Sequence, residues 1–345
     1  MGDGEKCGNV TTEDKSSVEA TKPVLPKVLN IYKPISKTPL EVIQALQQKL
    51  PEYSQIDPDT GRQVKIGKKQ FSIRRYRSLR DLRIIVRIVN SITGYAGRLD
   101  PMAHGVLILL MGEENKDRKN YENLKKEYRF EVMFGLTTDT YDILGMIDSS
   151  EIKVDVPIED LQNKVDELIT KEFIGQHDQP YPPYSSARVK GKPLFQWARD
   201  GKLNEIEIPV KRITIEAMKI FNIYEISIED MERRIIERIN GVKGDFRQKE
   251  ITEKWRQVFG SVNTKDFKLQ IVTIDVQVTT GTYVRSIAHE LGKKMGRGAI
   301  VVDLLRTRAG EFKLDDSLRL EETIVNELAD VSGDADSAPL SNTNV

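Results

Sequence analysis

Two charged residues stand in settings suited to chemistry. Asp100 lies in Gly94-Tyr95-Ala96-Gly97-Arg98-Leu99-Asp100-Pro101, a glycine-punctuated stretch that runs on to the apolar segment from Val106 to Met111. Gly94, Gly97 and Gly105 allow backbone conformations closed to other residues and let another chain approach closely. Pro101 biases Asp100 towards an extended conformation, and the apolar run predicts a buried strand that tethers the loop to the core. A carboxylate on a tethered loop is how an enzyme presents a nucleophile or a base. Asp-Pro is also a common turn dipeptide, so this stretch leaves both readings open. Arg285 follows Gly281-Thr282-Tyr283-Val284, where Val284, Ile287, Ala288, Leu291 and Met295 recur at helical spacing and Gly296 suits the stop. Arg285 then falls in the first helical turn, off the apolar stripe, where the macrodipole opposes a cation. A carboxylate nearby would relieve that; a solvent-facing arginine is the other reading.

The elements that must position these residues follow from periodicity. Residues 28–32 and 212–221 read as strands, and 269–278 as the strand that runs into the Arg285 turn. Between Tyr128 and Leu136 apolar and aromatic residues alternate at period two, the mark of a half-buried strand. Thr38-Pro39-Leu40-Glu41 fits a capping box with proline at the first helical position, opening a helix that Pro51 ends. Residues 158–173 predict an amphipathic helix and 194–199 a short one. Residues 117–126 read as a charged connection, 176–192 as irregular, and 225–262 as a charged helical insertion.

Composition bounds the rest. The chain has 345 residues, 39% hydrophobic, with net charge zero, one cysteine (Cys7) and three scattered histidines. Disulfide frameworks and thiolate metal clusters therefore lack material, and the histidines form no ligand pattern. No run of 18 apolar residues suggests a membrane span. Residues 62–87 hold ten Lys or Arg against one acid, Asp81, whereas residues 315–345 hold eight acids against Arg319. The basic block suits either a polyanion-binding surface or a solvated insertion and nuclear-import signal. Residues 1–26 read as a disordered leader.

Five stretches in order resemble the TruB family of tRNA pseudouridine synthases, and within it the eukaryotic, fungal-type members: Tyr32-Lys33-Pro34 with the helix after it, Gly94 to Lys116, Lys126 to Gly145, Pro182 to Gly201, and Gly281 through Arg308. The resemblance implies an α+β pseudouridine synthase fold, a mixed, mainly antiparallel sheet with flanking helices and a central RNA-binding cleft. The catalytic domain would span residues 27–315, with insertions at about 52–90 and 225–262, and an acidic tail from 316 to 345 in place of a PUA domain. Residue by residue, Asp100 matches the catalytic aspartate, Tyr128 the tyrosine that stacks on the target base and is implicated in removing its C5 proton, and Arg285 the arginine paired with the aspartate. Tyr283 matches an aromatic beside the active site and Lys116 the lysine closing a Gly-x-x-x-Lys turn.

The implied reaction isomerises uridine to pseudouridine at position 55 of the tRNA T-loop, consuming no cofactor, binding no metal and needing no guide RNA or obligate protein partner. The expected partner is the tRNA T-arm, or other RNAs presenting a T-loop-like motif, met by a monomer away from membranes. The expected compartment is the nucleus, with mitochondrion and cytoplasm as alternatives. Arg74, Arg75 and Arg77 in the basic block would engage phosphates, a salt-sensitive contribution that positions RNA. The chain departs from the family at Tyr95, where histidine is usual, and at Arg98, where a small residue is usual. Both would face substrate, Tyr95 by stacking and Arg98 by touching phosphate or competing with Arg285 for the carboxylate. These departures motivate a rival from another class, a tRNA-binding or RNA-folding protein on the same fold with weak or no catalysis. A guide-RNA-dependent subunit like dyskerin is a third reading.

Overall fold

The computed structural model describes residues 27–49, 92–148, 157–262 and 268–320. Strand β1 (Val28–Lys33) leads to helix α1 (Pro39–Lys49), and the chain returns in β2 (Ile92–Ala96) and β3 (Ala103–Met111). A tight turn and short helix α2 (Arg118–Asn123) precede β4 (Lys126–Phe134), and α3 (Ile158–Leu168) continues as a wider turn through Phe173. Then come β5 (Gly175–Pro180), a small hairpin of β6 (Arg188–Val189) and β7 (Lys192–Pro193), α4 (Leu194–Arg199) and the long β8 (Val210–Ser227). Helices α5 (Ile228–Asn240) and α6 (Gln248–Gly260) follow. The fold closes with β9 (Lys268–Val278), α7 (Val284–Lys294), β10 (Ala299–Ala309) and β11 (Phe312–Lys313). Among the described residues no helix is long and apolar enough to cross a membrane.

A nine-stranded sheet organises the molecule, in the order β1-β3-β10-β4-β9-β8-β5, with β2 added to β3 and β11 to β10. Among the named strands β3 and β10 pair in parallel and the rest antiparallel, which gives the mixed, mainly antiparallel α+β architecture expected. Because side chains alternate across a sheet, β4 sends Phe130, Val132 and Phe134 into one core with α3 and α7, and Met133 into another with α5 and α6. A third core joins α1 to β1 and β3. The capping box forms as the sequence predicts: the Glu41 carboxylate accepts from the Thr38 N–H at 2.8 Å and the Thr38 hydroxyl from the Glu41 N–H at 3.2 Å.

Four expectations need correction. Gly94 and Tyr95 belong to β2, so the loop proper runs from Gly97 to Met102. Residues 118–123 of the charged connection form α2. Residues 175–180 are a strand despite His177, Asp178 and Pro180: β5 lies at the end of the sheet with alternate residues exposed, so its polar side chains meet water. The acidic tail does not leave the body at 316. Leu318 donates to Asn30 O and accepts from the Tyr32 N–H, both at 2.9 Å, which covers the outer edge of β1 as far as that register runs. The leader, the whole of the first insertion and residues 321–345 lie outside the described residues.

Candidate active site

The Asp100 loop sits where β3 changes partner. At Ala103–Gly105 it pairs with β10, whereas from Ile108 to Met111 its neighbour on that side is β2. Such a split leaves backbone carbonyls without ladder partners, and buried carbonyls need donors. Arg306 supplies one at the split, and a second buried cation, Lys33, holds carbonyls at the other end of the loop. Arg306, opposite Gly105, donates to Val106 O at 2.7 Å and Gly97 O at 3.0 Å. Lys33, fully buried, donates to Ala103 O at 2.5 Å, Pro34 O at 3.0 Å and Pro101 O at 3.4 Å. Burial pushes the Lys33 ammonium down to about 7. Gly105 is required here: its φ is +100°, and a Cβ would fall 2.3 Å from Arg306 O. The loop bearing Asp100 is thus pinned on both sides by side chains that hold its backbone.

Arg285 meets it from the first turn of α7. Its Nη2 lies 2.9 Å from Asp100 Oδ2, with Arg285 4% and Asp100 35% exposed. Nη1 donates to Thr140 O at 2.6 Å and Nη2 to Tyr184 O at 3.3 Å. A second carboxylate, Asp142, stands 3.7 Å from Nη1. The Asp142 Oδ1 accepts from the Thr140 hydroxyl at 2.6 Å and the Leu144 N–H at 2.9 Å. Burial pushes the Asp142 carboxyl up, against the opposing pull of Arg285 and these donors. Burial opposes the Arg285 charge too, but Asp100 and Asp142 outweigh it and raise its affinity for the proton. The guanidinium is therefore a fixed cation with two carboxylates and two carbonyls around it. One of those carboxylates, Asp100, remains open to solvent.

Asp100 faces a cleft of ≈ 880 Å³ lined by Tyr128, Tyr181, Tyr184, Tyr283, Arg98 and Arg247 among others. Tyr283 is anchored by reciprocal bonds between its backbone and the Gln179 side chain, 2.8 and 3.1 Å, and packs edge-on against Tyr181. Burial, reinforced by the charge of Asp100, pushes the Tyr283 phenol up and keeps it a neutral hydrogen-bonding group. Lys126 also borders the cleft; its ammonium, held by Glu122 O and Leu124 O at 2.5 Å each, is lowered by burial to about 8. A carboxylate, a cation fixing it and a wall of aromatic rings is an arrangement that can attack and stack on a planar base. Among the described residues no group of three His, Cys, Asp or Glu is placed to hold a metal ion.

The structure brings together Asp100, Arg285, Tyr128, Tyr283 and Arg98, and leaves two expected residues outside the cleft lining. Tyr95 lies on β2 opposite Leu109, packed on the third core with the Arg118 guanidinium 5.5 Å from its ring centre. Lys116 pairs with Glu113 in the exposed turn after β3. Neither lines the cleft: one is on β2 and the other in the turn beyond the far end of β3. Arg98 is exposed on the cleft rim, and the cation paired with Asp100 is Arg285. Arg74, Arg75 and Arg77 lie outside the described residues. Sequence reasoning missed Asp142, Lys33 and Arg306 as site residues, although all three stand in the stretches that carry the family resemblance.

Residues 86–236 match the family model described as TruB family pseudouridylate synthase, N-terminal domain. Among curated relatives, tRNA pseudouridine synthase B of Thermotoga maritima is 30% identical over 235 residues, covering 68% of this chain and 59% of its own length. The protein of the same name from Oleidesulfovibrio alaskensis is 32% identical over 250 residues, covering 72% and 64%. The chain thus spans about three-fifths of the length of these relatives. A chain of a solved Cbf5-Nop10-Gar1 complex aligns with a TM-score of 0.42 and 19% identity over 85% of this chain and 52% of that one, too loose a likeness to transfer any feature. By sequence, residues 86–236 carry the N-terminal domain of the TruB family of pseudouridylate synthases.

Proposed function

We propose that the chain isomerises uridine to pseudouridine in tRNA, at position 55 of the T-loop, with Asp100 as nucleophile and without a guide RNA. The observation that carries this reading is the Asp100 carboxylate held 2.9 Å from the buried Arg285 guanidinium at an open cleft that Tyr128 also lines. The similarity to proteins named tRNA pseudouridine synthase B supports the substrate class.

A uridine inside a stack hides its glycosidic bond, so it must be extruded, at a cost of a few kcal/mol that stacking on an aromatic side chain offsets. Tyr128 is in position to supply that stacking. Asp100 then forms a covalent bond to the nucleotide, and the N1–C1′ bond breaks. The freed base turns, C5 bonds to C1′, and the carboxylate is released unchanged. The proton leaving C5 is balanced by one arriving at N1, so atoms and charge close without a second substrate. Arg285 aims the carboxylate, since its Nη2 lies 2.9 Å from Asp100 Oδ2 and its guanidinium is itself seated on two backbone carbonyls. Tyr283 and Lys126 border the same space and can hydrogen-bond base or ribose oxygens.

In this proposal the protein acts as a single chain, and its compartment is the nucleus, on the strength of a basic segment at 62–87 that suits an import signal. Incubating the purified chain with unmodified tRNA, then mapping pseudouridine, tests the reading. The expected result is modification of the T-loop uridine with no guide RNA added. Tight tRNA binding without product would instead favour an RNA-folding protein, and product that requires a guide would overturn guide independence.

A further inference from the structure

Helices α5 and α6 interrupt the β8–β9 connection, and the reaction above gives them no part. They are firmly built in: Ile235 and Trp255 are buried in the second core, and the Trp255 indole donates to Ile143 O at 3.2 Å. The link between them, residues 241–247, contains Gly244 at φ +100° and Arg247 at φ +63°. A left-handed non-glycine residue costs about 1–3 kcal/mol and persists where its surroundings hold it there.

That conformation accompanies a two-sided contact. The Arg247 Nη1 and Nη2 donate to Asp139 Oδ2 and Oδ1 at 2.7 and 3.2 Å, and the guanidinium lies 4.7 Å from the centre of the Tyr184 ring. Asp139 also accepts from the Met146 N–H at 2.8 Å, which fixes its carboxylate. Asp139 immediately precedes Thr140. Thr140 O and Tyr184 O are the two carbonyls that accept from Arg285. Arg247 therefore joins two segments, distant in sequence, between which the Arg285 guanidinium is seated.

We propose that Arg247 is a positioning residue for the Arg285–Asp100 pair, through which the α5–α6 hairpin becomes part of the active site's support. The inference rests on the reading of that pair as the reacting centre. A planar, two-pronged contact combined with ring stacking is specific to arginine, and lysine cannot reproduce it.

Turnover of unmodified tRNA by the full chain, with Arg247→Gln and Arg247→Lys variants checked by thermal unfolding, is the first arm of the test. Loss of positioning predicts that kcat falls about 10- to 100-fold while KM stays within about threefold, with Lys restoring only part of kcat. Unchanged kinetics, or a raised KM at wild-type kcat, would overturn the inference, the latter making Arg247 a direct RNA contact. The second arm needs no turnover. In arginine-labelled protein, with Arg285 assigned from Arg285→Lys, the Arg285 Nη–H signals should be separate in the wild type and averaged by rotation in both Arg247 variants. Signals that stay separate would refute the positioning role even if the wild type proved inactive. An inactive wild type would count against the proposed function alone.

Discussion

Replacing Arg285 with methionine probes the charge cluster on which the site depends. The substitution keeps an unbranched side chain but removes the cation, deletes the bonds to Thr140 O and Tyr184 O, and strands Asp142 in the interior. At the 3.7 Å Arg285–Asp142 separation and an effective dielectric of about 20, the gross attraction is about 4 kcal/mol. Asp100 lies closer, but it is about one-third exposed, so its share is screened and adds little to stability. Removing one partner of a buried pair costs about 3–5 kcal/mol, because the other charge is left uncompensated. Asp142→Asn keeps an acceptor for the Thr140 hydroxyl and the Leu144 N–H and removes a carboxylate that burial disfavours; it should cost about 1–2 kcal/mol. In the double variant neither charge is stranded, so the total should fall short of the sum by about 1–3 kcal/mol. Urea unfolding at neutral pH, followed by tryptophan fluorescence, measures all four proteins. Additivity to within about 0.5 kcal/mol would refute the coupling and with it the picture of Arg285 as a shared buried counter-charge.

Two further outcomes concern the frame of the Asp100 loop. Lys33 is held near 7 by burial against an ordinary value of 10.5, so between these the unfolded chain retains a proton the folded chain sheds, and raising the pH favours the fold. The unfolding free energy of wild type minus that of Lys33→Met should accordingly climb by on the order of a few kcal/mol from pH 7 to pH 10; parallel curves would contradict this. Gly105→Ala must fit a methyl group 2.3 Å from Arg306 O at φ +100°. It should cost about 3 kcal/mol in urea unfolding and lower activity through the loop, and a change under about 1 kcal/mol would show the β3–β10 contact to be more yielding than described.

Much of the frame was legible because its signals are local. The apolar run from Val106 to Met111 and the alternation from Tyr128 onwards are the interior strands β3 and β4, and the Thr38–Glu41 box caps α1 as written. The pairing of Asp100 with Arg285 was foreseen through the family resemblance, whereas the place of Arg285 in a first helical turn left a solvent-facing arginine open as well. What stayed hidden depends on contacts distant in sequence. Asp142 carries no signal of its own in the sequence; its role comes from α7, which brings Arg285 beside it. Lys33 and Arg306 are charged, a type rarely buried unless paired, yet both are buried against backbone carbonyls of segments that lie far away in sequence. The edge strand β5 carries no apolar alternation because one end of the sheet faces water. Tyr95 and Lys116 were expected at the site from their places in the family motif, which carries no distances; the fold sets Tyr95 on β2 and Lys116 in the turn after β3, outside the cleft lining.

Release of tritium from tRNA labelled at C5 of uridine, in a single turnover with excess protein, tests the central claim most directly, because only bond formation at C5 frees that hydrogen. The account predicts release by the wild type and none by Asp100→Asn, with tRNA affinity of the variant within about threefold of wild type. Release by Asp100→Asn at the wild-type rate would contradict the assignment of Asp100 as the nucleophile.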